Sequence, residues 1–350
     1  MNRSEILKIE EAMQNHLDNL TKPRGSLGKL EDYCKKLSRI QNKAPPFINK
    51  KCVFVFGGDH GIAHESVSLY PAEVGFQMAM NMLTGGAAIN ALANGTGWDI
   101  TVVDAGIASD FPADDVLKAK HKFIRAKIMK GSRNFYKESA MTEDETEEAI
   151  NKGREIAVAA EKYDMVAIGD LGIGNTSTAA AMLIAAGLDA NSVIDRGTGI
   201  DDKQLTHKKR VIKEAVAARR PVQNAYSILQ EVGAPDLAMM TGFILGLKDK
   251  KIACVLDGFP VTAAAYMACM IDPDVTGFLF AGHKSKVAGH AIVLAKMNLE
   301  PILQLDMHLG EGTGAVLGGF IVELSAICAA KMASFDSAKV SGGDVEEEKY

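Results

Sequence analysis

One glutamate occupies an unusual position in this sequence. The segment LQLDMHLGEGTGAVLGG (303–319) places Glu311 between Gly310 and Gly312, shortly after an apolar run at 302–305 that predicts a buried strand. Flanking glycines remove neighbouring side chains and let a substrate approach closely. Partial desolvation at the edge of a sheet would raise the pKa of this carboxyl group, as a general base requires. The alternative is a surface loop acid or a charge at a helix N-terminus.

A second segment, GDLGIGNTS (169–177), indicates an anion site. Its glycines expose backbone amides, and Asn175 and Thr176 are residue types that could cap a helix beginning there. Free amides at a helix N-terminus bind phosphate. Because no Gly-Lys-Ser/Thr follows and the spacing differs from the dinucleotide fingerprint, a phosphate monoester is the expected ligand. An ordinary capped turn is the alternative.

A third turn, DRGTGIDD (195–202), is weakly similar to the diphosphate loop of the type I phosphoribosyltransferases. Those enzymes pair two acids ahead of a Thr-Gly, whereas here only Asp195 precedes the turn and the acid pair follows it. This order disfavours a magnesium diphosphate ligand. Lys208, further along the chain, could reach a phosphate or could be solvated on a helix face.

Two histidine pairs raise the question of a metal. His60 and His64 have the i,i+4 spacing that binds zinc on a helix, but the glycines around them disfavour a helix there. His283 and His290 are separated by a turn and part of a helix. No metal is therefore expected at either pair.

These motifs require elements that bring them together. Short apolar runs alternate with Ala-rich helical stretches such as NTSTAAAMLIAAG. This alternation predicts a parallel sheet flanked by helices, a Rossmann-like, doubly wound α/β fold. Right-handed crossovers would place the strand C-termini, and the polar residues that follow them, on one edge. The runs predicted as strands are 52–58, 99–107, 165–174, 192–199, 251–259, 277–283 and 300–307.

Composition narrows the possible functions. The chain has 350 residues, 47% of them hydrophobic, and a formal net charge of -5. No block of Lys and Arg indicates nucleic-acid binding. The N-terminal segment is acidic rather than signal-like, and we expect no apolar run of the roughly 18 residues that a membrane span needs. None of the five cysteines forms a CxxC pair, which predicts buried free thiols and a cytoplasmic location.

Eight segments together resemble the nicotinate-nucleotide–dimethylbenzimidazole phosphoribosyltransferase family. The resemblance implies transfer of ribose 5-phosphate from nicotinate mononucleotide to 5,6-dimethylbenzimidazole or a similar lower-ligand base, giving α-ribazole 5′-phosphate and nicotinate. It implies no cofactor, small-molecule substrates, and a homodimer whose partner subunit can complete the site. The segments are TKPRGSLGKLE (21–31), GGDHGIAHESVSLYP (57–71), TGGAAINALA (84–93), GDLGIGNTS (169–177), GTGIDD (197–202), LDGFPVTAAA (256–265), AGHKSKVAGH (281–290) and LDMHLGEGTGA (305–315).

The resemblance also implies roles for individual residues. Glu311 would be the general base of a single in-line displacement, and Asp170 would contact substrate. Residues implied for the phosphate and ribose are Gly172, Ile173, Gly174, Asn175, Thr176, Gly199, Lys208, Ser285, Gly310 and Gly312. Residues implied for the acceptor base are Ser68, Tyr70, Gln77, Leu171 and Leu309. Relatives often carry Met where this chain has Leu171, so its acceptor pocket can differ.

The family fold implies a small helical domain built from both chain ends. We expect residues 1–45 to supply its first helices, 46–310 to form the α/β domain with the site, 311–335 to form a C-terminal helical region, and 336–350 to be a disordered tail.

Other functions remain open on sequence grounds. One is a paralogue subunit of a heteromeric enzyme that glycosylates phenols for phenolic cobamides. Others are a catalytically idle paralogue, a nucleotide-binding sensor and a magnesium-dependent phosphoribosyl diphosphate enzyme. The idle paralogue and the sensor would not need Glu311, so its presence argues against both.

Overall fold

A parallel sheet forms the centre of the larger part of the chain. The computed structural model describes residues 3–71, 73–197, 199–219 and 223–341. The strands within these residues are β1 (Lys51–Gly58), β2 (Asp99–Gly106), β3 (Lys122–Arg125), β4 (Met165–Leu171), β5 (Ala253–Leu256), β6 (Leu279–His283) and β7 (Pro301–Leu303). They are hydrogen-bonded in the order β3-β2-β1-β4-β5-β6-β7, and all neighbours are parallel.

The strand order makes the fold doubly wound, and the predicted fold class is confirmed. The chain leaves β1 in one direction to form β2 and β3, then returns to place β4 on the other side of β1. Val53 of β1 is therefore paired with Ile100 of β2 and with Ala167 of β4. Every residue of β1 and of β4 is buried, as expected for strands with helices on both faces. The direction of winding reverses between β1 and β4, which is where ligands bind in such sheets.

Helices account for most of the remaining chain. Their bounds are α1 (Arg3–Asp18), α2 (Lys29–Gln41), α3 (Glu73–Thr84), α4 (Ala88–Thr96), α5 (Asp114–Leu117), α6 (Glu143–Ala159), α7 (Asn175–Ala185), α8 (Ala190–Val193), α9 (Asp202–Arg219), α10 (Ala225–Val232), α11 (Pro235–Asp249), α12 (Phe259–Ile271), α13 (Ala288–Lys296), α14 (Thr313–Lys331) and α15 (Phe335–Ala338). Short 3-10 helices cover Gly61–Glu65 and Pro273–Phe278.

Local sequence explains how α6 and α11 begin and pack. Thr142 and Glu145 form a reciprocal capping box at the start of α6, and Pro235 is the first residue of α11. A Cβ at Gly242 of α11 would lie 1.9 Å from the carbonyl oxygen of Ile150 in α6. The two backbones therefore pack in direct contact, which only glycine allows at this position.

Two strand predictions differ from the structure. The run 192–199 is not a strand, because the Asp189 carboxylate accepts the Ser192 N–H at 3.0 Å and starts the short helix α8. The edge strand β3 was not predicted from the sequence. It has only four residues, and none of them is fully buried, so no apolar run identifies it.

The strand that precedes Glu311 is also shorter and more exposed than predicted. We expected a buried strand at 302–305, whereas β7 ends at Leu303 and Leu305 is 55% exposed. β7 is hydrogen-bonded to β6 alone and lies at the edge of the sheet, so one of its sides is not shielded by a neighbouring strand.

The chain divides into two compact units. One comprises residues 1–48 and 320–350, and the other comprises residues 49–319. In the first unit, Met13, Leu17, Leu20, Cys34 and Ala329 form a small apolar core. The second unit contains the sheet. Residues 336–338 of the predicted tail belong to α15, and residues 342–350 lie outside the described part of the chain.

The expectation that no apolar run reaches membrane-spanning length is wrong for α14. This helix has 19 residues and is apolar enough to cross a membrane by length and composition. Of its most apolar 18-residue stretch, 56% is buried inside the protein. A core helix of a soluble protein meets the same test. All five cysteines are free thiols, and Cys34, Cys52 and Cys254 are buried.

Candidate active site

A cavity of about 350 Å³ lies at the C-terminal ends of β4, β5, β6 and β7. Its walls come from the segments that follow these strands, from the segment between β1 and α3, and from α9. The residues named from the sequence that line it are Ser68, Tyr70, Asp170, Leu171, Gly172, Ile173, Gly174, Asn175, Thr176, Lys208, Ser285, Leu309, Gly310 and Glu311. The fold therefore brings residues from separate segments of the chain to one site.

Three residues named from the sequence do not line the cavity. Gln77 is exposed on α3. Gly199 is exposed, with a φ of +103° and nothing within 4 Å of a Cβ built there. Gly312 is buried behind the cavity wall, and its N–H donates to Oδ2 of Asp257 at 3.0 Å. The amide of Gly312 is already hydrogen-bonded within the protein.

The turn that carries Glu311 has an uncommon backbone conformation. Gly310, Glu311 and Gly312 have φ values of +85°, +64° and +88°. A left-handed conformation costs a residue with a side chain roughly 1–2 kcal/mol, so surrounding contacts must impose it on Glu311. One such contact is the hydrogen bond from the Glu311 N–H to the carbonyl oxygen of Asp170, at 3.2 Å. A Cβ at Gly169 would lie 2.3 Å from the Gly312 nitrogen, so the turn rests directly on β4.

The Glu311 carboxyl group is suited to accept a proton. The residue is 5% exposed, and Oε2 makes no hydrogen bond within the protein. Burial raises the pKa of this carboxyl group, and the charge of Asp257 raises it further, against a backbone hydrogen bond from Ile89 that lowers it. A buried carboxylate with a raised pKa and a free lone pair is a stronger base than one in water.

Another part of the cavity wall is suited to an anion. Helix α7 begins at Asn175, and its first residues line the cavity. The expectation that Asn175 or Thr176 caps this helix is wrong, because the N-cap is Gly174 at a φ of +97° with no side-chain cap. Asn175 instead accepts the Thr176 N–H through Oδ1, at 2.7 Å, and donates to Oδ2 of Asp170 at 2.5 Å.

Lys208 adds a positive charge beside the start of α7. It is 2% exposed, and its Nζ donates to Oγ1 of Thr176 at 3.2 Å. Burial lowers the pKa of Lys208 to about 8, although the charge of Asp195 acts in the opposite direction. A buried ammonium group beside the N-terminus of α7 favours an anionic ligand.

The acids of the DRGTGIDD segment (195–202) have structural partners. Asp201 caps α9 by accepting the Gln204 N–H through Oδ1 at 2.8 Å, and Asp202 forms an ion pair with Arg196. Asp195 accepts the Ala288 N–H at the start of α13, at 2.8 Å. Each of these acids therefore has a structural role within the protein, and binding of a magnesium diphosphate is not needed to explain its presence.

One histidine of each pair is held by hydrogen bonds or close contacts to protein groups. Buried His60 lies 2.9 Å from Oγ1 of Thr178 through Nδ1 and 3.4 Å from Asp236 through Nε2, whereas His64 is exposed. His290 accepts the Ser285 N–H through Nδ1 at 2.9 Å. Among the described residues, no group of three or more His, Cys, Asp or Glu side chains is arranged to hold a metal ion.

Known proteins match this chain over nearly its full length. A family model described as phosphoribosyltransferase matches residues 6–340. The nicotinate-nucleotide–dimethylbenzimidazole phosphoribosyltransferase of Geobacter sp. (strain M21) is 42% identical over 346 residues, which is 97% of each chain. The enzyme of that name from Chlorobaculum parvum is 41% identical over 96% of this chain and 95% of its own length.

The chain belongs to the nicotinate-nucleotide–dimethylbenzimidazole phosphoribosyltransferase family. A solved structure agrees with this assignment. CobT from Thermus thermophilus superimposes with a TM-score of 0.90 at 37% identity, covering 96% of this chain and all of that one (100%).

Several residues of this phosphoribosyltransferase site were not singled out from the sequence. The charges of Asp257 and Asp236 act on Asp170, and the Ile89 N–H donates to Glu311, but all three residues lie far in the sequence from the segments that they affect. The one available signal for Asp257 was its position at the end of a predicted strand. Asp236 follows a proline at a helix start, which gave no indication of its contact with His60.

Proposed function

We propose that this chain transfers ribose 5-phosphate from nicotinate mononucleotide to 5,6-dimethylbenzimidazole or a similar lower-ligand base. One observation carries the proposal: a single cavity is lined by the start of α7 and Lys208, which suit a phosphate, and by Glu311, which suits a proton acceptor. The names of the full-length relatives support the same reaction.

The donor would bind with its phosphate at the start of α7, beside Lys208. Nicotinate mononucleotide carries one phosphate, so an ammonium group and a helix N-terminus supply the required charge. Its leaving group is a pyridinium, which departs as a neutral ring when the C1′–N bond breaks. No acid is needed to protonate that leaving group, so one carboxyl group serves the reaction.

The acceptor would lie between the segment after β1 and the turn after β7. Leu171, Tyr70 and Leu309 offer apolar surface there, and Tyr70 and Leu309 are 50% and 56% exposed. One ring nitrogen of the benzimidazole attacks C1′, and the other loses its proton to the Glu311 carboxylate. The new C–N bond forms as the bond to nicotinate breaks, with one inversion from the β- to the α-riboside.

The direct test is product identification. We would incubate the purified protein with nicotinate mononucleotide and a panel of benzimidazoles, purines and phenols, in excess EDTA, and identify the riboside by mass spectrometry and proton NMR. We expect an α-riboside 5′-phosphate with a benzimidazole, and no ribosylated protein when the acceptor is withheld. A β-riboside, a labelled protein, or activity that EDTA abolishes and magnesium restores would contradict the proposed mechanism.

The same panel separates the main proposal from the phenol-glycosylating alternative. We further propose that the enzyme is a cytoplasmic homodimer. Its five free cysteines support a reducing compartment, and the family resemblance supports the dimer. Light scattering on the purified chain would test the dimer, and a monomer active at nanomolar concentration would contradict it.

A further inference from the structure

Asp257 binds the start of the helix that follows Glu311. It comes directly after β5 and is 1% exposed. Its Oδ2 accepts the Gly312 N–H at 3.0 Å, and its Oδ1 accepts the N–H groups of Gly314 and Ala315 at 2.8 and 3.1 Å. These are N–H groups at the start of α14 that no preceding turn of the helix satisfies. A carboxylate is therefore the natural partner for that position.

The same short segment is enclosed on its other sides. A Cβ at Gly314 would lie 2.0 Å from the His283 ring, and a Cβ at Gly282 would lie 2.7 Å from the Ala315 Cα. The His283 Nε2 lies 3.4 Å from Oδ1 of Asp257. Close backbone packing leaves little room for the turn to move, provided that the hydrogen bonds to Asp257 stay in place.

We propose that Asp257 is a positioning residue for the transfer reaction, fixing the Glu311 turn so that the Glu311 carboxylate faces the acceptor. The proposal rests on the proposed function, in which Glu311 is the base. Asp257 does not line the cavity, although the next residue, Gly258, does. It therefore acts through the turn rather than on substrate.

The charge of Asp257 supports this role. It raises the pKa of the Glu311 carboxyl group, in addition to the larger effect of burial. The hydrogen bonds hold Glu311 in its left-handed conformation, and the charge makes Glu311 a stronger base. In this proposal both effects reach the chemical step through Glu311, although the charge of Asp257 also raises the pKa of Asp170, which lines the same cavity.

The test is a double-mutant cycle with Asp257→Asn and Glu311→Gln. The amide oxygen of Asn accepts hydrogen bonds on one side, but its NH₂ group cannot accept the Gly312 N–H. We expect Asp257→Asn to lower kcat about ten- to a hundredfold, the scale of a misplaced catalytic group, with the KM for nicotinate mononucleotide unchanged. In the Glu311→Gln background the same substitution should cause no further loss, because the base it positions is already absent.

A matched control is Asp104→Asn. Asp104 is also a buried aspartate near the end of a strand, 3% exposed, and its Oδ1 accepts the Ile107 N–H at 3.0 Å, but it does not line the cavity or contact the Glu311 turn. This variant should keep the wild-type kcat. If Asp257→Asn does not fold, Asp257→Ser keeps a hydroxyl acceptor and enters the same cycle, with donor binding by calorimetry confirming a folded site.

The outcomes separate the two proposals. Wild-type turnover in Glu311→Gln would overturn the proposed function. Loss of turnover in Glu311→Gln, together with wild-type kcat in Asp257→Asn, would overturn only the positioning role. An equal fold loss from Asp257→Asn in both backgrounds would also overturn it, because Asp257 would then act independently of Glu311.

Discussion

Individual residues that line the cavity differ in charge and in the chemistry that they suit. Lys208 and the start of α7 supply positive potential, while Glu311 offers a buried carboxyl group. Both side chains are nearly buried, and burial shifts the pKa of each toward the neutral form: down for the lysine and up for the glutamate. In the proposed reaction, Lys208 would hold the donor phosphate and Glu311 would take the acceptor proton. Both groups change charge nearer to neutral pH than they would in water.

Donor capture should weaken above about pH 8. The pKa of Lys208 is lowered to about 8, so its ammonium charge is present below that pH and lost above it. The kcat/KM for nicotinate mononucleotide reports the free enzyme and should fall as pH rises from 7 to 9. Lys208→Met should reduce kcat/KM at pH 7 and remove this alkaline fall. A wild-type profile that is flat from pH 7 to 9 would show that Lys208 does not hold the phosphate.

At the scale of elements, the Glu311 turn is placed by two strands that lie beneath it. Gly169 of β4 leaves room for the backbone of Glu311 and Gly312, and Asp257 follows β5. Neither contact involves the edge strand β7, which precedes the turn in the chain. The position of Glu311 therefore depends on the buried middle of the sheet rather than on its exposed edge.

Gly169→Ala should disturb this placement. Its Cβ would meet the Gly312 nitrogen at 2.3 Å, so the turn must move. We expect about 1–3 kcal/mol of lost stability, as for overpacked sites, and a lower kcat. Gly277→Ala is the matched control, since nothing lies within 4 Å of its Cβ. Chemical denaturation and steady-state kinetics measure both effects, and a Gly169→Ala enzyme with unchanged kcat would show that the turn is not fixed by β4.

The sequence predicted the fully buried strands correctly, because a strand buried on both faces has a continuous apolar sequence. β1, β4 and β5 are of this kind, because every residue in them is buried. β3 could not be found this way, since a short edge strand with exposed ends has no such run. The run 192–199 contains Val and Ile, but the capping contact of Asp189 makes its start helical. Local apolar content does not reveal that contact.

The site was predictable only in part for a related reason. Glu311, Lys208 and the 169–177 turn are marked by residue type and spacing. The contacts of Asp257 with Gly312, Gly314 and Ala315 join residues that are 55, 57 and 58 positions apart. These contacts form because the end of β5 meets the start of α14 in the fold. No local sequence pattern predicts that meeting.

For the whole molecule, the buried acids at the centre of the sheet make stability depend on pH. Burial, and then the charges of Asp257 and Asp236, raise the pKa of Asp170 to about 7, against a hydrogen bond from Asn175. An unfolded aspartate has a pKa of about 3.9. Between these two values the folded state holds more protons than the unfolded state, so this group makes stability fall as pH rises.

Asp170→Asn should remove this dependence. Relative to wild type, the variant should gain up to about 3 kcal/mol of stability between pH 5 and pH 8, because about two of the roughly three units of pKa difference lie in this range. Urea denaturation at the two pH values measures the change. Asp249→Asn, whose side chain is 58% exposed, serves as the control and should show no comparable pH dependence. A constant difference between Asp170→Asn and wild type across this range would contradict the raised pKa.

The most direct test of the account is the turnover of Glu311→Gln. Glutamine keeps the size of the side chain and removes its capacity to accept the benzimidazole proton. Single-turnover assays with nicotinate mononucleotide and 5,6-dimethylbenzimidazole, paired with calorimetric titration of the donor, separate chemistry from binding. We predict nearly unchanged donor affinity and a loss of about a hundredfold or more in the rate of transfer. A Glu311→Gln enzyme that binds the donor and transfers ribose phosphate at the wild-type rate would contradict the account.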